Sequence, residues 1–399
     1  MSGAQRILVL HRTQGHGVEA VHLRGMVDAM REAGHAVEIV GPAGTDPYAP
    51  APAASGKPGL AARFARHAPE LLFEVAEQAY DRRLAGRLGA AAARFRPTLL
   101  YERYAFFGEA GSRLAARLGI PHVVEVNYTV SDPLVRQRSR LLAGACRRAE
   151  ARVFRGAALL AAVSSRLEER VREHGVEGGR IVLMPNAVHR AWWEAAASPA
   201  PASLPVGLTQ APVVGFVGGF YPWHGVDRLV EAVRRNRAAG RPAALLLVGD
   251  GPERPRIEAQ VAAAGLAEHC LLAGSRPHAE LPGWIAAMDV CVMPHSNDYG
   301  SPMKVFEYMA LGRAVLAPSL PPLRDVIDDG VNGALFASSE AGADPVAPLE
   351  AGLAGLLGDG PLRERLGRAA RERVGERHTW QENWHRVESA LAASGPEAA

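Results

Sequence analysis

The sequence predicts an α/β protein of two doubly wound domains facing across a cleft, with a C-terminal helix crossing back. Three observations predict it. At 399 residues the chain exceeds one ordinary hydrophobic core and suits two. Apolar runs of strand length alternate with stretches of helical periodicity, the pattern of parallel sheets flanked by helices. Residues 194–212 then lose that periodicity and fill with Ala, Pro and Ser, as interdomain linkers do. The boundaries read as 1–195, 196–375 and a closing segment, 376–399, that packs back on the first domain.

In the first half the strand Arg6-Ile7-Leu8-Val9-Leu10 leads through a loop containing Gly15-His16-Gly17 to a helical stretch at 19–33. The strand Ala36-Val37-Glu38-Ile39-Val40 follows and completes a strand, helix, strand unit. The unit recurs as Thr98-Leu99-Leu100-Tyr101, a helix at 108–118 and His122-Val123-Val124-Glu125-Val126. Between the two units an Ala/Pro-rich loop gives way to an amphipathic stretch at 69–84, suited to form a wall for a second substrate. The grammar restarts with Val213-Val214-Gly215-Phe216-Val217, a helix at 226–236, and Ala244-Leu245-Leu246-Leu247-Val248. A helix at 253–264, the strand Cys270-Leu271-Leu272-Ala273 and a helix at 281–288 then lead into Val290. Open sheets of this kind bind ligands at the carboxyl ends of their strands. Trp380 and Trp384 stand at helical spacing in the closing segment and read as core packing.

Composition narrows the function. A net charge of +3 and a pI near 8.9 fit an anionic ligand and fall short of a nucleic-acid footprint. Three cysteines, Cys146, Cys270 and Cys291, have no metal-like spacing, and their odd number argues for reduced thiols in a cytoplasmic protein. No apolar run approaches the ~20 residues of a membrane span, and Ile7-Leu8-Val9-Leu10 is too short for a signal peptide. A basic stretch, Arg136, Arg138, Arg140, Arg147, Arg148, Arg152 and Arg155, is either a solvated helix face or a contact for anionic lipid. A monomer or homodimer is expected.

The most informative segment is Gly300-Ser301-Pro302-Met303-Lys304-Val305-Phe306-Glu307. Ser301 suits an N-cap and Pro302 a first helical position, so a helix is expected from Pro302 to Gly312. On that register Lys304 lies in the first turn, where the helix dipole disfavours a cation. A diphosphate would reverse the sign, because helix N-termini bind phosphate and an ammonium adds a point charge. The alternative is an ion pair of Lys304 with Glu307 or Asp298 on a solvated face. Of 45 Lys and Arg residues only Lys57 and Lys304 are lysines, which singles Lys304 out. Glu307, three residues on, shares its face and could accept the hydroxyls of a ribose.

Several pieces in order resemble the GT-B glycosyltransferases, and within them the retaining family 4. They are Met184-Pro185-Asn186, Gly218-Gly219-Phe220-Tyr221-Pro222-Trp223-His224-Gly225, Leu247-Val248-Gly249-Asp250-Gly251-Pro252, the segment from Gly300, and Asp325-Val326-Ile327-Asp328-Asp329-Gly330-Val331-Asn332-Gly333. The resemblance implies two Rossmann-like domains and transfer of a sugar from a nucleoside-diphosphate donor, such as a UDP- or GDP-sugar, with retention. It implies no cofactor and no metal. Glu307 would hold the ribose, and the backbone along Ser301, Pro302, Met303 and Lys304 would face the diphosphate. The loop of Gly15, His16 and Gly17 would close on the donor, and the base would lie near Ser275, Arg276 and Pro277. The sequence departs from the family where an acidic sugar contact is usual, carrying Tyr299 with Asp298 beside it. It also has Gly219 and His224 at the places of the usual Arg and Lys clamps, leaving His224 and Lys304 as the clamp, and Asn127 where histidine is common. Arg103, Glu125 and Asn127 are the acceptor-side residues on this reading. The acceptor would be a small molecule, as in antibiotic biosynthesis, or an envelope glycan or glycolipid. A sugar-nucleotide epimerase on the same fold is the rival reaction, whereas the first loop lacks the G-x-G-x-x-G of dinucleotide enzymes.

Overall fold

The structure, a computed structural model, describes residues 3–15, 17–49, 69–132, 141–195, 200–338 and 343–393. It divides into two compact units, Met1–Pro185 with Trp380–Ala399, and Asn186–Thr379.

The first unit runs β1 (Arg6–Leu10), α1 (Gly17–Glu32), β2 (Ala36–Val40), α2 (Glu70–Phe95), β3 (Leu99–Arg103) and α3 (Ala110–Leu118). It continues with β4 (His122–Val126), α4 (Ala143–Gly156), β5 (Leu159–Ala162), α5 (Ser165–Arg172) and β6 (Ile181–Leu183). All pairings are parallel, in the order β2-β1-β3-β4-β5-β6. Every residue of β4 and β5 is buried, as strands covered by helices on both faces must be. Of the basic stretch, Arg136, Arg138 and Arg140 lie outside the described residues. Arg147, Arg148, Arg152 and Arg155 sit on α4, whose opposite face buries Cys146, Ala149, Val153 and Phe154.

The second unit begins with α6 (Arg190–Ala195) and runs β7 (Val213–Val217), α7 (Val226–Ala238), β8 (Ala244–Val248), α8 (Arg254–Ala263), β9 (Cys270–Gly274) and α9 (Leu281–Ala286). Then come β10 (Val290–Val292), α10 (Met303–Ala310), β11 (Ala314–Pro318), α11 (Pro321–Arg324), β12 (Ala334–Phe336), α12 (Ala347–Leu357) and α13 (Gly360–Arg377). Its sheet is again parallel, in the order β12-β11-β10-β7-β8-β9. Successive side chains of a strand face opposite sides. Val213 and Val217 therefore enter one core layer, while Val214 and Phe216 enter the other.

The changeover between units falls at Pro185 and Asn186, earlier than the expected boundary at 195. The reason is local packing. Trp193 on α6 donates from Nε1 to the carbonyl of Arg371 at 3.2 Å, and the Arg371 guanidinium lies 4.5 Å over its ring. The Ala/Pro run is likewise tied to the second unit, since Ala202 N–H donates to Gly283 O at 2.8 Å. The last helix, α14 (Trp380–Ala393), belongs to the first unit and packs on α1. Trp380 and Trp384 are 1% and 2% exposed, and Trp380 lies so close to α1 that a Cβ on Gly25 would come within 2.2 Å of its Nε1.

Candidate active site

The carboxyl end of β7 and the start of α10 build the first cluster. Gly218 follows β7 with φ of 145°, a conformation that favours glycine, and a Cβ there would stand 2.7 Å from Nζ of Lys304. The lysine side chain thus occupies the space that Gly218 leaves. Its amine lies 4.5 Å from the centroid of the Phe216 ring and 3.3 Å from Nε2 of His224. His224 donates from Nδ1 to the carbonyl of Gly219, which leaves Nε2 as an acceptor for the amine. Burial pushes the Lys304 amine down to about 7, and burial followed by the Lys304 charge pushes His224 down to about 4. The contacts expected for a solvated ion pair with Glu307 or Asp298 are replaced by a ring and an imidazole.

Glu307, also on α10, is 8% exposed and accepts from Nε2 of His278 at 2.9 Å. His278 was not among the residues read from the sequence. It opens the 3₁₀ turn that Pro277 caps, and Trp192 stacks on it at 6.1 Å between centroids. The Arg276 guanidinium lies 4.8 Å over the Trp284 ring and its Nε donates to Ala273 O at 3.1 Å.

Two expectations about the α10 entrance are corrected. Helix α10 begins at Met303, with Pro302 in extended conformation at the cap and no side-chain cap bond. Ser301 is not the cap, because its Oγ accepts from the Asn186 N–H at 3.0 Å while its carbonyl accepts from Asn186 Nδ2. The Gly300 N–H donates to Asn297 Oδ1 at 2.5 Å, which also accepts from the N–H of Tyr299 at 3.2 Å. Tyr299 itself is 6% exposed. The free N–H groups of the first helical turn at Met303 and Lys304 remain, as at any helix start.

In the first unit, His16 lies outside the described residues. Gly15 has φ of 73°, and a Cβ there would meet the Thr45 carbonyl at 2.3 Å; Gly17, with φ of 69°, opens α1 with no atom in that position. The acceptor-side trio forms one hydrogen-bonded cluster. Glu125 is 1% exposed and its oxygens are occupied by Tyr101 Oη at 2.5 Å, Arg103 Nη1 at 2.8 Å, His22 Nε2 at 2.8 Å and Asn127 Nδ2 at 2.5 Å. Arg103, Glu125 and Asn127 thus satisfy one another, and a carboxylate with four partners is a structural centre. Among the described residues no three His, Cys, Asp or Glu side chains converge as metal ligands would, and no helix is long and apolar enough to cross a membrane.

Comparison with known proteins matches residues 211–350 to the model "Glycosyl transferases group 1" and residues 17–192 to "Glycosyltransferase Family 4". A 2-deoxystreptamine glucosyltransferase of Streptomyces kanamyceticus is 39% identical over 125 residues, 30% of this chain and 32% of that protein. A D-inositol 3-phosphate glycosyltransferase of Xylanimonas cellulosilytica is 29% identical over 242 residues, 56% of this chain and 54% of that protein. The chain thus spans from about a third to about half the length of these curated relatives. Among solved structures, Anabaena HepE in complex with UDP superposes with a TM-score of 0.68 at 16% identity, covering 97% of this chain and all of that one. With two parallel six-stranded sheets and a glycosyltransferase model matched in each half, the chain is a protein of the GT-B glycosyltransferase fold.

Proposed function

We propose that the protein transfers a sugar, with retention at the anomeric carbon, from a UDP- or GDP-sugar to a hydroxyl or similar nucleophile of a small polar acceptor in natural-product biosynthesis. The observation that carries the reading is Lys304, a cationic side chain packed at a helix start against Phe216 and His224 instead of a carboxylate. A diphosphate at the first turn of α10 would meet two backbone N–H groups, the amine and the imidazole. Bringing that negative charge close holds Lys304 protonated.

Catalysis in this reading is stabilisation of the leaving diphosphate by groups already in place. The departing phosphate takes the acceptor's proton, so no strong base is required, and neither a metal nor a cofactor takes part. Glu307 receives the ribose hydroxyls on the oxygen that His278 does not hold. The names of the relatives, which specify 2-deoxystreptamine and inositol 3-phosphate as acceptors, support a small polar acceptor. The UDP in the HepE complex supports a nucleotide-linked donor.

The test is a thermal-shift panel of UDP-, GDP- and dTDP-sugars, since ligands stabilise the fold that binds them. It is followed by NMR of the product formed with the stabilising donor. An axial donor sugar should emerge axially linked, with release of nucleoside diphosphate only when acceptor is added. Inversion at the anomeric carbon, or an isomerised sugar from donor alone, defeats the reading.

A further inference from the structure

The loop that joins β7 to α7 carries two aromatic side chains outside the core. Tyr221 and Trp223 are 41% and 37% exposed, whereas Phe216 and Phe220 just before them are fully buried. Their rings stack nearly parallel, with 4.6 Å between centroids and 6° between planes. Pro222 stands between them and opens the 3₁₀ turn Pro222–His224. Exposed aromatic surface on a loop at the carboxyl end of a sheet is where a binding surface is expected.

The loop is fixed from several sides. Phe220 N–H donates to Asp250 O at 2.8 Å, Glu253 N–H donates to Phe220 O at 3.0 Å, and His224 N–H closes the turn on Tyr221 O at 2.9 Å. The Trp223 carbonyl accepts from Nδ1 of His295 at 3.0 Å. Tyr221 lies directly on Gly219, where a Cβ would meet its ring at 2.5 Å. The stack is therefore in place before a ligand arrives, and binding spends little entropy on ordering it.

The pair also stands beside Lys304 and His224. Both ring centroids lie 6.0 Å from that of the His224 imidazole, whose Nε2 faces Nζ of Lys304. A diphosphate held there has a nucleoside at one end and a sugar at the other. Glu307 serves the nucleoside end in the reading above. Tyr299, read from the sequence as standing near the sugar, is 6% exposed, so the open rings beside the cluster are Tyr221 and Trp223. The face of an aromatic ring carries partial negative charge, which repels phosphate oxygens and attracts the C–H groups on the face of a pyranose. The pair thus suits the sugar and opposes the diphosphate.

We propose that Tyr221 and Trp223 form the platform on which the sugar of the donor lies, and that the stack distinguishes a sugar-loaded nucleotide from the nucleoside diphosphate left after transfer. The inference rests on the glycosyl-transfer reading above and adds two residues that act on the sugar alone. The C–H face of the pyranose meets the exposed face of the pair while the diphosphate stays with Lys304 and His224. Once the sugar has gone the platform is empty, and the product loses that share of the affinity.

The experiment uses the full chain without acceptor. Calorimetry measures the Kd of UDP and GDP, alone and as their glucose, N-acetylglucosamine and mannose conjugates. Trp223→Ala should weaken the sugar nucleotide that binds about tenfold and leave its nucleoside diphosphate within about twofold, and Trp223→Phe, which keeps a ring, should recover most of the loss. The fluorescence that the wild type has and Trp223→Phe lacks should shift with the sugar nucleotide and stay constant with the bare nucleoside diphosphate, a readout that does not depend on how well the alanine variant folds. Equal weakening of both ligands would assign the rings to the base or to covering His224. That result overturns the proposal, as does an unchanged Kd for both with the emission unmoved, or a nucleoside diphosphate that binds while none of its sugar conjugates does. Each of these leaves the transfer reading standing. Absence of any nucleotide response removes that reading and the platform with it.

Discussion

Nζ of Lys304 lies 3.3 Å from Nε2 of His224, whose Nδ1 is committed to the carbonyl of Gly219. The carbonyl fixes the tautomer, so the imidazole presents a lone pair to the amine. With Lys304 pushed down to about 7 and His224 to about 4, the pair near neutrality shares at most one proton. A bound diphosphate would keep that proton on the lysine.

Nucleoside-diphosphate binding should therefore take up a proton above pH 7, and affinity should fall as the pH rises past that value. Calorimetry in two buffers of different ionisation enthalpy measures the uptake, which Lys304→Met should abolish. The same shift acts on folding. An unfolded lysine titrates near 10.4, so between about pH 7 and 10 the unfolded chain binds more protons than the folded one. The stability of the unliganded wild type should then rise with pH across that window relative to Lys304→Met. A flat difference in Tm between the two proteins from pH 7 to 10 would show that the amine is not held as described.

Gly218→Ala should cost both fold and function. A Cβ at φ of 145° is strained and would press on Nζ at 2.7 Å and Cε at 3.0 Å of Lys304. Strain of this kind costs ~1 to 3 kcal/mol. In a Lys304→Met background the steric part involving the amine disappears, so a double-mutant cycle should give a coupling of ~0.5 to 2 kcal/mol by denaturant unfolding. Additive effects would mean that the two residues do not share this space.

His278 positions Glu307 through a single bond of 2.9 Å. A hydrogen bond to a carboxylate is worth ~1.5 to 3 kcal/mol when buried and less beside solvent, where His278 is part exposed, so His278→Ala should raise the donor KM about 2- to 10-fold with kcat nearly unchanged. His278→Gln, which keeps a donor, should recover part of the loss. A large fall in kcat with KM intact would assign the histidine to the chemical step instead.

What could be read from the sequence follows from how each feature is encoded. Strands β7 and β8 were legible to the residue, because burial on both faces leaves an unbroken apolar run of strand length. The three-residue edge strands β6 and β12 carry too short a pattern to stand out. Lys304 and Glu307 were legible because their pairing is local to one helix face. Of their partners, His224 came in through the family resemblance and His278 was missed, since both stand on distant turns that only the tertiary fold brings in. Ser301 looked like a cap by local rule and was claimed by Asn186 instead. Glu125 read as an acceptor-side residue at a strand end, and the parallel register sets Arg103 directly beside it, a pairing that strand alignment alone could have exposed.

That carboxylate yields a last prediction. Burial alone would push Glu125 up, but the charges of His22 and Arg103 and the bonds from His22 and Tyr101 prevail and hold it well below the usual carboxylate range. A carboxylate depressed in the fold stabilises it above the unfolded pKa of about 4.3 and loses that contribution as pH falls toward its folded value. Glu125→Gln leaves Arg103 buried without its counter-charge, a change that costs ~3 to 5 kcal/mol at neutral pH. Denaturant unfolding at pH 7 should show this loss, and it should shrink below pH 4 as the wild type gives up its own advantage. Because the carboxylate is spent on Tyr101, Arg103, His22 and Asn127, KM for both substrates should stay within about twofold in the folded variant. A selective rise in acceptor KM without loss of stability would instead return Glu125 to the substrate.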